Sequence, residues 1–147
     1  MTTIYESMSS DHRRCDDLFA AAEQAAGAGD WEAAAADFNA FREATERHFA
    51  MEEGVLFPDF EQRTGQDMGP CAVMRMEHQQ MRGMFQAMGE AVDAKDKDAY
   101  LGHADTLMVY MQQHNLKEEQ MLYPMMDQVF GAESDDLLSQ AAETVDS

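Results

Sequence analysis

The chain has 147 residues, 45% of them hydrophobic, enough for one domain with a buried core. Its 29 acidic side chains outnumber 10 basic ones, and the resulting net charge of −19 repels nucleic acids and anionic membrane surfaces. No apolar run reaches the length of a membrane span and the N-terminus lacks the basic-then-apolar pattern of a secretory signal, so a cytoplasmic protein is expected.

In chain order, Ser9 or Ser10 is suited to cap a first helix, which ends near Gly27-Ala28-Gly29 because glycine accepts the left-handed terminus. Asp30 caps a second helix, whose apolar positions Phe38, Phe41, Phe49 and Leu56 keep a helical period. Pro58 breaks or kinks it, since proline removes a hydrogen bond and clashes with the preceding turn. The stretch Thr64 to Pro70 reads as a turn, with Pro70 at the first position of a third helix that stops near Asp93. Asp96 caps a fourth, which meets Pro124 and fades at Gly131. No strand pattern is present. Residues 1–131 are expected to form an all-α, up-down-up-down four-helix bundle. Residues 132–147 read as an acidic C-terminal tail, with room for a short helix around Leu137 and Leu138.

The bundle contains an internal repeat. His48-Phe49-Ala50-Met51-Glu52-Glu53-Gly54-Val55-Leu56-Phe57-Pro58 is answered by His114-Asn115-Leu116-Lys117-Glu118-Glu119-Gln120-Met121-Leu122-Tyr123-Pro124, each reading His-x3-Glu-Glu-x2-Leu-aromatic-Pro. The offset of 66 positions also takes His12 onto His78, Asp11 onto Glu77 and Phe19 onto Phe85. What repeats is a two-helix unit with one histidine on its first helix and His-x3-Glu on its second.

Arm lengths decide whether these side chains can meet. From His12 to the first turn and back to His48 the arms measure ~24–27 Å at a rise of about 1.5 Å per residue. The arms from His78 to the second turn and back to His114 measure ~25 Å on the same rise. Equal arms bring each pair to one level of an antiparallel hairpin. Residues four apart share a helix face, so His48 with Glu52, and His114 with Glu118, can address one interior point. Imidazoles with carboxylates suit a first-row metal, whereas an all-oxygen cage would suit calcium or magnesium. One copy alone would read as an exposed ion pair or a satisfied core histidine. Two copies with two register-matched histidines point to a dinuclear site of His12, His48, Glu52, His78, His114 and Glu118.

That order of residues, with Phe49, Leu56-Phe57-Pro58 and Leu122-Tyr123-Pro124 around it, resembles the hemerythrin-like family, the HHE cation-binding domain, from about Ser9 to about Gly131. The resemblance implies a four-helix bundle holding two iron ions, with a bridging oxo or hydroxo group. His12 and His48 would share one iron, His78 and His114 the other, and Glu52 and Glu118 would bridge. Manganese or zinc could replace iron. The ligands implied are dioxygen, peroxide or small anions, and the activities are sensing, buffering or weak catalase- or peroxidase-type turnover. A ferritin-like arrangement fits less well, because it needs inward Glu-x-x-His pairs.

Two departures from the oxygen-carrying hemerythrins bear on that function. Those proteins have a fifth histidine one turn from the third-helix ligand, where this chain has Met74 and Arg82 flanking His78, and they end in His-x4-Asp rather than His-x3-Glu. A more symmetric centre could leave both irons open, which favours O–O bond chemistry over reversible carriage. Tyr110, one turn before His114 and paired by the repeat with Ala44, is the candidate for an extra ligand or a hydrogen-bond donor; a core tyrosine is the other reading. Glu53 and Glu119 point ~140° from their histidines on an ideal helix, and are either solvated or bonded behind the ligands. His103 lies three turns from His114 and is out of reach. Cys15 and Cys71 are not repeat partners and read as buried thiols. Of 14 methionines, 11 lie between Met68 and Met126; they read as core filling, or as sacrificial protection beside an oxidant. Beyond oxygen chemistry, two further readings stand: a module whose iron controls folding and partner recognition, and a metal-free interaction scaffold.

Overall fold

The computed structural model describes residues 2–146. Met1 and Ser147, the outer bounds of the expected bundle and tail, lie outside the described residues. The chain forms α1 (Ile4–Gly27), α2 (Trp31–Met51), a π-helical turn (Glu52–Leu56), α3 (Phe57–Thr64), α4 (Pro70–Asp93) and α5 (Lys97–Lys117). A second π-helical turn (Glu118–Leu122), α6 (Tyr123–Phe130), a 3-10 turn (Gly131–Glu133) and α7 (Ser134–Asp146) complete it. Helix α1 packs on α2 and α4 on α5, while α1·α5 and α2·α4 contacts close the four-sided all-α bundle. No helix is long and apolar enough to cross a membrane among the described residues.

The caps explain the boundaries. Asp30 and Asp96 accept from the backbone N–H of Ala33 (3.2 Å) and Ala99 (3.1 Å), satisfying donors that a helix N-terminus leaves free. Helix α1 begins earlier than Ser9 or Ser10, and Ser9 is buried within it. Thr3 is its cap, accepting from Glu6 N–H at 3.0 Å. The next free donors, Ile4 and Tyr5 N–H, reach the carboxylate of Asp127 on α6 at 2.8 and 3.0 Å. A residue 123 positions away thus holds the helix start, and local composition could not announce it.

Pro58 and Pro124 each act through the turn that precedes them. Proline has no N–H, and its ring crowds the carbonyl four residues back. Here the chain widens instead of breaking. The N–H of Phe57 bonds the carbonyl of Glu52, and the N–H of Tyr123 bonds that of Glu118, each five residues earlier. The two π turns are repeat partners, 66 positions apart like the motifs that contain them.

Two apolar clusters fill the bundle. One holds Ile4, Met8, Leu56, Phe57, Met74 and Tyr123; the other holds Phe19, Phe38, Phe41, Phe85, Met88 and Tyr100. His12 lies on α1 between Met8 and Phe19, and His78 on α4 between Met74 and Met81, so the histidine level separates the two. Met8, Met51, Met74, Met81, Met88, Met111 and Met126 are buried, which accords with core filling.

The segment after Gly131 is more than a tail with a short helix. Helix α7 spans Ser134–Asp146 and buries Leu137, Leu138 and Ala141 in the first cluster. Arg47 on α2 clasps it through both Asp146 oxygens at 3.0 Å. Its apolar positions cover the first π turn. Truncation after Glu133 should therefore cost about 3–6 kcal/mol, at about 1.5–3 per buried leucine, read as a lower midpoint in urea unfolding. At the α4–α5 turn Lys95 has φ 54, where its repeat partner Gly29 has φ 74. A left-handed backbone costs a side-chain-bearing residue roughly 1–2 kcal/mol, so Lys95→Gly should raise the thermal midpoint by a few degrees and Gly29→Ala should lower it.

Candidate metal centre

All six predicted ligands are buried at one level of the bundle. His12 comes from α1, His48 from α2, His78 from α4 and His114 from α5, while Glu52 and Glu118 open the two π turns. His78 Nε2 lies 3.1 Å from Glu52 Oε1, and His114 Nε2 3.3 Å from Glu118 Oε1. His12 Nε2 lies 3.1 Å from Glu118 Oε1, and His48 Nε2 3.7 Å from Glu52 Oε2. The donors fall into two groups, Glu52–His78–His114–Glu118 and His12–His48–Glu118, with ligand atoms in each within 4.8 Å of one another.

Each of the four buried imidazoles is oriented from behind by a carboxylate. Nδ1 of His12 donates to Glu119 (2.6 Å), of His48 to Asp11 (2.8 Å), of His78 to Glu53 (2.7 Å) and of His114 to Glu77 (2.7 Å). An ionised carboxylate only accepts, so Nδ1 carries the proton and Nε2 turns its lone pair inward, the tautomer a metal requires. The pattern obeys the repeat: Asp11 answers Glu77 and Glu53 answers Glu119. Glu53 and Glu119 are thus bonded behind His78 and His12. Arg82 grips Glu53 with two nitrogens at 3.0 and 3.1 Å, and Lys117 pairs with Glu77. His78 is also stacked on Phe49, with ring centroids 3.8 Å apart.

Charge in the cluster is unbalanced. Burial, reinforced by the neighbouring Glu118 charge, pushes Glu52 well above the usual carboxylate range. Burial opposes ionisation of Glu118 too, but the hydrogen bond from Glu52 and the electrostatic pull of the nearby His114 and His12 imidazoles outweigh it and hold that carboxyl well below the range. Without a cation the pair therefore shares a proton. Burial lowers His78 to about 4 and also lowers His48, so these imidazoles stay neutral and able to ligate.

Four inward atoms, Glu52 Oε1, His78 Nε2, His114 Nε2 and Glu118 Oε2, are buried with no hydrogen-bond partner. Unpaired buried polar atoms are costly. These four come from the four residues of the first donor group, and their nitrogen–oxygen chemistry suits iron, manganese or zinc. The residues present fit a metal.

Tyr123 is the site residue that sequence reasoning passed over. Its hydroxyl donates to Glu52 Oε2 at 2.7 Å and lies 3.0 Å from Glu118 Oε1, 3.2 Å from His48 Nε2 and 3.3 Å from His12 Nε2. Tyr110, the tyrosine favoured from the sequence, is only half-buried and packs against the second apolar cluster. It stands one α-helical turn from His114, but the tyrosine among the buried histidines and glutamates is Tyr123. The available signal was the repeat itself, which pairs Tyr123 with Phe57 and so marks one added hydroxyl. His103 is exposed on α5, and Cys15 and Cys71 are buried free thiols whose burial pushes them up to about 11 and about 12.

A bundle of paired helices with an imidazole from each of its four long rods and a buried carboxylate from each of its two π turns defines a metal-binding helical protein. The family model for the Hemerythrin HHE cation binding domain matches residues 3–126, and the chain belongs to that family. No curated protein and no solved structure matches it. Outer carboxylates typically govern metal affinity by about 10–100-fold. Glu119→Ala or Asp11→Ala should accordingly weaken metal binding by about that factor, measured by competition with a chromophoric chelator.

Proposed function

We propose that this protein holds two iron ions, bridged by Glu52 and Glu118, and that it binds dioxygen or peroxide there. The pair of ions would supply the reversible binding or reduction of an O–O ligand. The chain supplies the surroundings. His12 and His48 face one position and His78 and His114 the other, each locked in tautomer by its outer carboxylate. The observation that carries the reading is the set of four unpaired inward atoms in a buried nitrogen–oxygen cluster. Tyr123 is placed to donate a hydrogen bond toward the carboxylates and toward any small anion held between them.

Access supports a small apolar ligand. A surface cavity of about 350 Å³ is lined by Pro70, Val73, Met74, Met121, Leu122 and Met125, with Lys117 at its edge. Its wall includes Leu122, the neighbour of Tyr123, and Met74, one turn from His78. Two buried free thiols suit a reducing compartment, and we place the protein in the cytoplasm on that ground.

Metal analysis joined to the visible spectrum of anaerobically reduced protein, before and after oxygen, tests the proposal. Two irons per chain and a charge-transfer band that appears with oxygen and shifts with azide are expected. A spectrum indifferent to oxygen, peroxide and azide would rule the oxygen chemistry out. A second reading, in which iron governs folding and hence partner recognition, draws on the two glutamates buried side by side. Under it, chelation should remove a large part of the helical circular dichroism while the loaded spectrum ignores added ligands.

A further inference from the structure

The two halves of the site are related by the repeat, yet they are not equally ready for a cation. Phe57 stands to His78 as Tyr123 stands to His12: ring centroids are 5.8 Å apart at 23° in one half and 5.7 Å apart at 33° in the other. The aromatic carbon frames are thus alike, and the difference between them is a hydroxyl. In the half with Phe57 there is nothing to donate, and Nε2 of His78 and of His114 remain unpaired beside Glu52 Oε1 and Glu118 Oε2. In the half with Tyr123, one oxygen lies 2.7–3.3 Å from Glu52 Oε2, Glu118 Oε1, His48 Nε2 and His12 Nε2. That is the place where an ion bound by those four atoms would sit.

The geometry points to ordered loading: the Glu52–His78–His114–Glu118 position takes the first metal ion, and the His12–His48 position takes the second only when the Tyr123 hydroxyl gives way. This rests on the dinuclear reading above and adds its order and its controlling residue. The first position gives ligation to four atoms that have no hydrogen-bond partner and leaves the phenol in place. At the second, an incoming cation must displace a phenol already bonded to a carboxylate. Hydrogen bonds to charged groups are each worth enough to shift an equilibrium by about tenfold or more. The protein would therefore pass through a one-metal form as metal becomes scarce, and Tyr123 would set the concentration at which the second ion enters.

Titration of metal-free protein with Co(II) under nitrogen, followed by visible absorption, tests this. Two phases of one equivalent each are expected, with the second at least about tenfold weaker than the first. In Tyr123→Phe the second phase should tighten by about tenfold while the first stays put; Phe57 shows that the fold accepts phenylalanine in this setting, and circular dichroism checks it. His12→Gln should remove the second phase and spare the first. Uptake of both ions in a single phase by the wild type would overturn the order without touching the dinuclear reading. A second phase that weakens or does not move in Tyr123→Phe would overturn the role of the hydroxyl. No uptake of Co(II) at all would remove the dinuclear reading and the order together.

Discussion

Two carboxylates buried side by side repel each other, and a dry interior strips them of the water that would otherwise dissipate their charge. Something positive must lie between them, a shared proton or a metal cation. Glu52 and Glu118 are fully buried at the centre of this bundle, and the rest of the site answers their demand. Four imidazoles turn Nε2 toward them. Four further carboxylates, nearer the surface, anchor those imidazoles and bring more negative charge toward the same point. A cation reconciles all ten groups at once, whereas a proton shared by the glutamates leaves inner atoms of the first donor group unpaired.

The π turns make this crowding geometrically possible. On a regular α-helix, a residue five positions beyond Glu118 would point ~140° away. The widened turn, with Tyr123 N–H on the Glu118 carbonyl, stacks residue five over residue one and brings the phenol onto the carboxylate it follows. Such turns are uncommon and concentrate at functional sites. Here the proline behind each one gives the local cause, and the buried glutamate that opens each one gives the use.

Helix α7 extends the same logic to stability. The π turn of the first motif would face solvent if the bundle ended at Gly131. Leu137, Leu138 and Ala141 cover it and join the apolar cluster formed by Leu56, Phe57 and Tyr123. The acidic positions of that segment masked a three-residue apolar stripe that only the neighbouring surface makes meaningful.

Four helices, their caps at Asp30 and Asp96, and the meeting of His12, His48, His78 and His114 at one depth were legible in the residues. Each depends on a period, a short-range hydrogen bond or an equal arm length, all of which are properties of local chain geometry. Family membership was legible for the same reason, through a motif that repeats at a constant offset. Tertiary structure alone decided the start of α1, because its donors are satisfied by Asp127 from the far end of the bundle. It also decided that Tyr123 and not Tyr110 stands among the buried histidines and glutamates. Helical phase computed at 3.6 residues per turn fails wherever a proline forces the backbone to widen, and no pattern of side chains announces how the chain will absorb that strain. The outer carboxylates follow the same division: their positions repeat in the sequence, but which histidine each one holds is settled by the packing of one helix against another.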